Sequence, residues 1–314
     1  MKVLLSILFL GSLLFSNALE VTTSIIPQKY MIEKIAGDKV KVNVMVRKGF
    51  SPATYEPKTS QMKKLAKSKI YFSIGVPFEN VWLKKFQSAN SSMNIVDTSN
   101  GIKKLKMVAH VHHDEHDEHK EEKHDDHGHE KHDDHDEHKD EKHEEQAGHE
   151  HEGGLDPHIW LDPVLVKVQA KNIYEALVKI DANNAKIYHS NYEKFVKELD
   201  TLHHELEEKL ESLHGKAFMV FHPSWGYFAK RYELEQISVE KEGKEPKPKE
   251  LVELISEAKL HDIRVVFVAP QFSQKSAKII AKSINGKVAF LDPLEEDYKK
   301  NLLKVAEVIK QSYK

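Results

Sequence analysis

Residues 182–213 of this chain read ANNAKIYHSNYEKFVKELDTLHHELEEKLESL. Apolar side chains recur in this stretch at steps of three and four, at Tyr188, Tyr192, Phe195, Leu199, Leu202, Leu206, Leu210 and Leu213. That spacing predicts one amphipathic helix, and roughly 30 residues at ~1.5 Å each make it about 45 Å long. Such a rod exceeds one small domain, so we expect it to run along two. A homodimeric coiled coil is the alternative, although the stripe covers little more than about four heptads.

Strand and helix patterns alternate on both sides of this helix. The predicted strands are 39–46, 70–74, 218–221, 236–239, 265–268 and 288–291. The predicted helices cover 60–66 and 163–180 and begin near Ser224, Pro248, Ser273 and Leu294. This alternation predicts an α/β fold with two lobes joined by one long backbone helix. The predicted boundaries are 19–181 for the N-terminal lobe, 182–213 for the helix and 214–314 for the C-terminal lobe.

The first residues predict export. Lys2 precedes an apolar run over 3–15 that is short for a membrane span, and Ser16-Asn17-Ala18 has the small residues that a signal peptidase reads. We therefore predict a signal peptide over 1–18, cleaved near Ala18; an uncleaved anchor or a buried first strand is the alternative. The chain contains no cysteine, which excludes a disulfide partner and thiolate metal ligands and leaves nitrogen and oxygen donors.

Residues 110–152 consist almost entirely of His, Asp, Glu and Lys. This segment holds 14 of the 21 histidines, 19 acidic residues and 5 lysines. It has too little apolar surface to offset the entropy of ordering it, so we predict a disordered loop. Irregularly spaced imidazoles favour many weak, exchanging metal contacts over one rigid site. The histidines expected to bind metal weakly are His112, His113, His116, His119, His124, His127, His129, His132, His135 and His138. A solvated charged linker is the alternative.

Net charge differs between this loop and the rest of the chain. Without Lys2 the mature chain carries 46 − 50 = −4 and the loop carries 5 − 19 = −14, so the rest carries about +10. Loop and body are expected to attract each other at low salt. The lysines of the body are scattered along helical stretches with no interleaved aromatic residues, so we expect no nucleic-acid partner.

Three metal-capable residues fall at or near such places as ligands occupy in α/β proteins, two of them directly after predicted strands. His222 follows the apolar run 218–221, Asp292 follows 288–291, and His158 lies between the prolines of Asp156-Pro157-His158 and Asp162-Pro163. Ligands of open α/β sheets bind beyond the carboxyl ends of the strands, so these residues are candidate ligands of one ion in the cleft between the lobes. Taken singly, each has an ordinary alternative: a hydrogen-bonded packing histidine, or an aspartate that caps a helix.

Several motifs in the same order resemble the periplasmic zinc-binding proteins of metal-uptake ABC transporters. Besides the His-rich insertion, they are Asp156 to Pro163, Phe221-His222-Pro223-Ser224-Trp225-Gly226-Tyr227, Ser238-Val239-Glu240 with Pro246 and Pro248, and Leu291-Asp292-Pro293-Leu294. The likeness covers nearly the whole mature chain, and a histidine-rich loop in this position is typical of the zinc branch.

The resemblance implies two pseudo-symmetric lobes around a rigid helix, with one metal site in the cleft. It makes His158 and His222 ligands and Asp292 a third ligand or close neighbour. Where manganese-binding relatives carry Glu, this chain has His222, and the extra nitrogen donor favours zinc. The resemblance also implies a periplasmic monomer that carries Zn²⁺ as its transported ligand and docks on an inner-membrane ABC permease.

One position departs from the family. Its first histidine lies in a Gly-x-x-Pro-His-x-Tyr-Glu-Pro loop, and residues 49–57 match that loop with Ala53 in the histidine's place. Three protein ligands and a water would satisfy zinc. Alternatively, Glu56 or a histidine from the 110–152 loop fills the gap, or the chain has lost tight binding.

The function predicted from the sequence is capture of zinc and its delivery to a permease for uptake. A protein that buffers or sequesters zinc mainly through its loop is the alternative, as is a carrier of manganese or another divalent metal. A hydrolytic zinc enzyme would use a similar open site, but the chain has no His-Glu-x-x-His helix and no evident general base beside the proposed ligands. We therefore expect no enzymatic activity.

Overall fold

The computed structural model describes residues 18–107, 154–241 and 243–314. The predicted signal peptide, apart from Ala18, and the predicted loop over 110–152 lie outside these residues. Within the described part of the chain, no helix has both the length and the apolar character that a bilayer crossing requires.

The N-terminal lobe is built on a four-stranded parallel sheet. Its strands are β1 (Leu19–Thr23), β2 (Val40–Val44), β3 (Ile70–Ser73) and β4 (Asn94–Asp97). They lie in the order β2-β1-β3-β4. The helices of this half are α1 (Ile26–Ala36), α2 (Thr59–Leu65), α3 (Pro77–Ala89) and α4 (Pro163–Ile180). All four residues of β3 are buried, as a parallel strand covered by helices on both faces requires.

The C-terminal lobe repeats this arrangement. Its strands are β5 (Ala217–Val220), β6 (Glu235–Ser238), β7 (Val265–Val268) and β8 (Lys287–Phe290). They are parallel in the order β6-β5-β7-β8, which is the order of the first sheet, so the lobes are pseudo-symmetric. Its helices are α6 (Gly226–Arg231), α7 (Pro248–Leu260), α8 (Lys275–Ser283) and α9 (Tyr298–Gln311). The helix α5 (Ala185–Leu210) precedes this lobe in the chain. The predicted fold class, two α/β lobes, is confirmed.

The long helix α5 covers Ala185–Leu210, with one 3₁₀ turn before it and one after it. Its 26 residues make a rod of about 39 Å, shorter than expected because the end turns are 3₁₀. Seven of the eight apolar residues predicted to line its inner face are buried. The eighth, Tyr192, is partly buried and stacks on Tyr174 of α4 with ring centroids 4.9 Å apart.

This helix packs on both lobes. It contacts α1 and α4 on the N-terminal side and α9 on the C-terminal side. Lys34 of α1 pairs with Glu198, and Lys299 of α9 pairs with Glu205, so ion pairs flank the apolar contacts on each side. The helix therefore spans the two lobes as its apolar stripe predicts. The lobe boundaries given above remain predictions.

Direct bonds between the lobes surround the segment that carries His158. The indole nitrogen of Trp160 donates to the carbonyl of Pro293 at 2.7 Å, and the hydroxyl of Tyr227 donates to the carbonyl of Asp156 at 2.9 Å. Arg231 pairs with the buried carboxylate of Asp162 at 2.8 Å. These bonds fix the segment before α4 against the C-terminal lobe.

Candidate metal centre

His158 and His222 face each other across the cleft. His158 precedes α4, which packs on β4 of the first sheet, and His222 lies two residues beyond the end of β5 in the second. Their ring centroids are 5.3 Å apart, with the ring planes at 71°. His158 is 8% exposed, and the side chain of His222 is 22% exposed. The structure thus brings together one imidazole from each lobe.

Each imidazole is held by a buried carboxylate. The Nδ1 atom of His158 lies 2.7 Å from Oδ1 of Asp156, and Nδ1 of His222 lies 2.5 Å from Oε1 of Glu240. When Nδ1 carries the proton and donates to the carboxylate, Nε2 is left with a free lone pair. Metal-binding histidines characteristically use this arrangement, which fixes the tautomer and raises the basicity of the ligating nitrogen.

Burial favours the uncharged form of His158. Loss of solvent lowers the pKa of His158, although the Asp156 carboxylate opposes this shift. A neutral imidazole has a lone pair ready for a cation and needs no proton release. The environment of His158 therefore suits a metal ligand.

The two histidines line a cavity of about 70 Å³. Two aromatic side chains that also line the cavity contact the imidazoles. The ring centroids of Trp160 and His158 are 5.1 Å apart. Phe272 stacks on His222 with ring centroids 4.7 Å apart and ring planes at 20°. Apolar walls around a small polar centre exclude bulk water and strengthen electrostatic interactions inside. Trp225, the other tryptophan that the sequence places beside a candidate ligand, is buried against Phe228.

Asp292 is not among the described residues that line this cavity. It lines a neighbouring cavity, together with Lys48 and Glu295. Its Oδ1 accepts hydrogen bonds from the backbone of Leu294 at 2.9 Å and from Nε2 of Gln271 at 3.0 Å. Across the described ranges, no three His, Asp or Glu side chains are grouped so that they could hold a metal ion. A ligand role for Asp292 remains a prediction.

The loop that departs from the family reaches the histidine cavity. Ala53 lines it, and the backbone of Ala53 donates to the hydroxyl of Ser51 at 3.2 Å. Tyr55 turns inward and is buried, whereas Glu56 points to the exposed surface. Among the described residues that line the cavity, Glu56 is absent. The structure therefore places Ala53, and not its proposed substitute, next to the two histidines.

Sequence reasoning missed four contributors to this site. Asp156, Glu240, Gln271 and Phe272 contact the candidate ligands or line their cavity. A weak signal existed for two of them. Asp156 stands two residues before His158, and Glu240 belongs to a motif carried by the family resemblance. Neither position indicates by itself which histidine the carboxylate contacts.

Comparison with known proteins identifies the family to which the chain is similar. The family model for the periplasmic component A of zinc-uptake complexes, ZnuA, matches residues 21–312. A crystal structure of ZnuA is 38% identical to this chain and has a TM-score of 0.79. The match covers 95% of this chain and 100% of that one. The zinc-bound structure of a ZnuA deletion mutant lacking residues 138–173 of its own chain is also 38% identical, with a TM-score of 0.78 and coverage of 94% of this chain and 98% of that one.

The chain is also similar to a zinc-binding protein with a different name. The zinc-binding protein AdcA of Streptococcus pyogenes is 26% identical over 291 residues, which are 92% of this chain. The matched region is 53% of AdcA, so this chain spans about half of that relative.

Proposed function

This chain belongs to the ZnuA family of periplasmic zinc-uptake components, and we propose that it captures zinc in its cleft and delivers it to an inner-membrane ABC permease. Residues 1–18 act as the cleaved export signal in this proposal. The chain works as a monomeric carrier of Zn²⁺, which is its transported ligand.

One observation supports the cleft as the capture site. His158 and His222 come from different lobes, and their ring centroids are 5.3 Å apart. The Nδ1 atom of each is hydrogen-bonded to a buried carboxylate. Two Nε2 donors favour zinc over manganese, because manganese prefers carboxylate, carbonyl and water oxygens. Zinc tolerates water at an open position, and Asp292 is our candidate for a third ligand or close neighbour.

The histidine-rich loop supplies the collecting step in this proposal. Its 14 histidines offer many weak contacts on the same chain as the cleft. A tethered donor raises the effective zinc concentration at the cleft, typically to the millimolar range for short flexible linkers. The loop therefore speeds capture, while the cleft sets the tight affinity.

We propose no enzymatic activity for the cleft. The carboxylates that contact the two histidines, Asp156 and Glu240, accept from Nδ1 and hold the rings. A hydrolytic zinc site needs a base beside the bound water, not behind the ligands. A zinc buffer without a permease partner is the second candidate, and it depends on the loop alone.

Zinc-limited growth of the source bacterium tests delivery. Cells that lack this protein would receive the wild type, the His158→Ala/His222→Ala variant, or a chain without residues 110–152. We expect the wild type and the shortened chain to restore growth and ⁶⁵Zn uptake, and the double variant to restore neither. Uptake restored by the double variant but not by the shortened chain would contradict delivery from the cleft and assign zinc binding to the loop, whereas zinc bound by the wild type without any restored uptake would support the buffer.

A further inference from the structure

The hydroxyl of Tyr227 bridges two backbone segments that meet beside the candidate ligand His158. It accepts a hydrogen bond from the backbone N–H of Leu105 at 2.8 Å and donates one to the carbonyl of Asp156 at 2.9 Å. The backbone N–H of Asp156 donates to the carbonyl of Leu105 at 2.8 Å. Tyr227 and Asp156 are both buried, so the hydroxyl supplies a bond that solvent cannot. Both backbone groups of Asp156 are therefore held in place.

Asp156 passes this constraint to His158. Its Oδ1 accepts from the backbone N–H of His158 at 2.9 Å and lies 2.7 Å from Nδ1 of the same residue. One carboxylate oxygen thus holds both the main chain and the ring of the candidate ligand. Because the backbone of Asp156 is itself held, its carboxylate offers the imidazole a fixed acceptor, which selects one ring orientation.

The residue before Tyr227 leaves room for the other carboxylate oxygen. Gly226 has no side chain, and a Cβ atom at this position would lie 3.2 Å from Oδ2 of Asp156. That approach is close for two packed atoms, so any larger residue would push the carboxylate away from its present position. Gly226 and Tyr227 are consecutive residues of the C-terminal lobe. The first accommodates the carboxylate of Asp156, and the second binds its carbonyl.

We propose that Tyr227 and Gly226 are positioning residues of the zinc site, which fix Asp156 and thereby orient the imidazole of His158. This inference rests on the proposed function. His222 and Tyr227 belong to the same short segment after β5. That segment therefore supplies one candidate ligand and sets the orientation of the other. Ligands held in their binding geometry lose less conformational freedom when the ion arrives, and they bind it more tightly.

Tyr227→Phe in the mature full-length chain tests this role. Phenylalanine keeps the ring, but the N–H of Leu105 and the carbonyl of Asp156 lose their partner. We expect the affinity of the tight zinc site to fall about 10-fold, the lower end for lost outer-shell partners. Competition against a chelator that strips zinc from the histidine-rich loop measures it. In the zinc-free protein, the proton NMR signal of Nδ1–H in His158, identified by its loss in His158→Ala, should shift.

Tyr313→Phe is the matched control. The hydroxyl of Tyr313 donates to the carbonyl of Ala217, so this variant also loses a bond between a tyrosine and the backbone. Neither Tyr313 nor Ala217 is among the described residues that line the cavity of the two histidines. We expect wild-type zinc affinity and an unchanged Nδ1–H signal in this variant.

Gly226→Ala decides the matter if Tyr227→Phe does not fold. Its methyl group presses on Oδ2 of Asp156, and we expect the same two changes, weaker zinc binding and a shifted Nδ1–H signal. Gly154→Ala is the control for the added methyl group, because a Cβ atom at Gly154 would meet no other atom within 4 Å. It should leave both measurements unchanged.

Two results for Tyr227→Phe would overturn the inference. One is wild-type zinc affinity, and the other is a loss of affinity without a shift of the Nδ1–H signal, since a purely structural role would produce the latter. The same criteria apply to Gly226→Ala. If His158→Ala/His222→Ala also binds zinc normally, the proposed site itself is wrong; if only that variant loses binding, the inference alone fails.

Discussion

Replacing His158 and His222 together by alanine should weaken zinc binding in the chain without residues 110–152 by at least about 1,000-fold, or about 4 kcal/mol. The variant loses both imidazoles, whose ring centroids the two lobes bring to 5.3 Å from each other. Complete four-ligand zinc sites are worth roughly 10–16 kcal/mol, so a loss of this size is modest for two ligands. Competition against a chelator of known affinity measures it.

The chain offers a matched control for this variant. His203 and His204 of α5 also lie close together, with ring centroids 5.6 Å apart, but outside the cleft. The His203→Ala/His204→Ala variant should therefore keep the wild-type affinity. Equal losses in both double variants would show that removing any histidine pair suffices, and the cleft would not be the site.

Ala53→His should tighten zinc binding by roughly 100-fold, or about 3 kcal/mol. Ala53 lines the cavity of His158 and His222, and a third imidazole there would replace a water with a stronger ligand. The loop is preorganised for this, since Phe78 donates its backbone N–H to the carbonyl of Pro52 at 3.0 Å. The same chelator competition measures the gain.

Thr54→His is the control for the grafted imidazole. Thr54 is the next residue, is exposed, and is not one of the described residues that line the cavity. It should leave the tight affinity unchanged. If Ala53→His also leaves the affinity unchanged, another protein group already occupies the coordination position that the new imidazole was meant to fill. That result would contradict an open position beside Ala53.

The elements with strong periodicity were predictable from the sequence. The helix predicted over 163–180 has those limits in the structure, because Pro163 starts it and Asp162 caps it with hydrogen bonds to the next turn. By contrast, β1, α1, α3 and β4 received no prediction. The strand β1 reads only LEVTT, and its burial follows from its central position in the sheet, which no local pattern reveals.

The site was predictable in part. Strand ends and the family resemblance pointed to His158 and His222, and the structure brings them together. Their carboxylate partners and Gln271 depend on tertiary packing: Glu240 meets His222 only because β6 lies beside β5, although 18 residues separate them in sequence. For Asp292, the contacts with Leu294 and Gln271 resemble a capping role, which local sequence could not distinguish from a ligand.

The central claim is that the cleft holds one tight zinc site independent of the histidine-rich loop. A calorimetric zinc titration of the mature chain without residues 110–152, with a competing chelator, tests it most directly. We expect a single site with one zinc per chain and an affinity close to that of the tight site in the full-length protein. The absence of a tight site would contradict the claim and assign zinc binding to the loop.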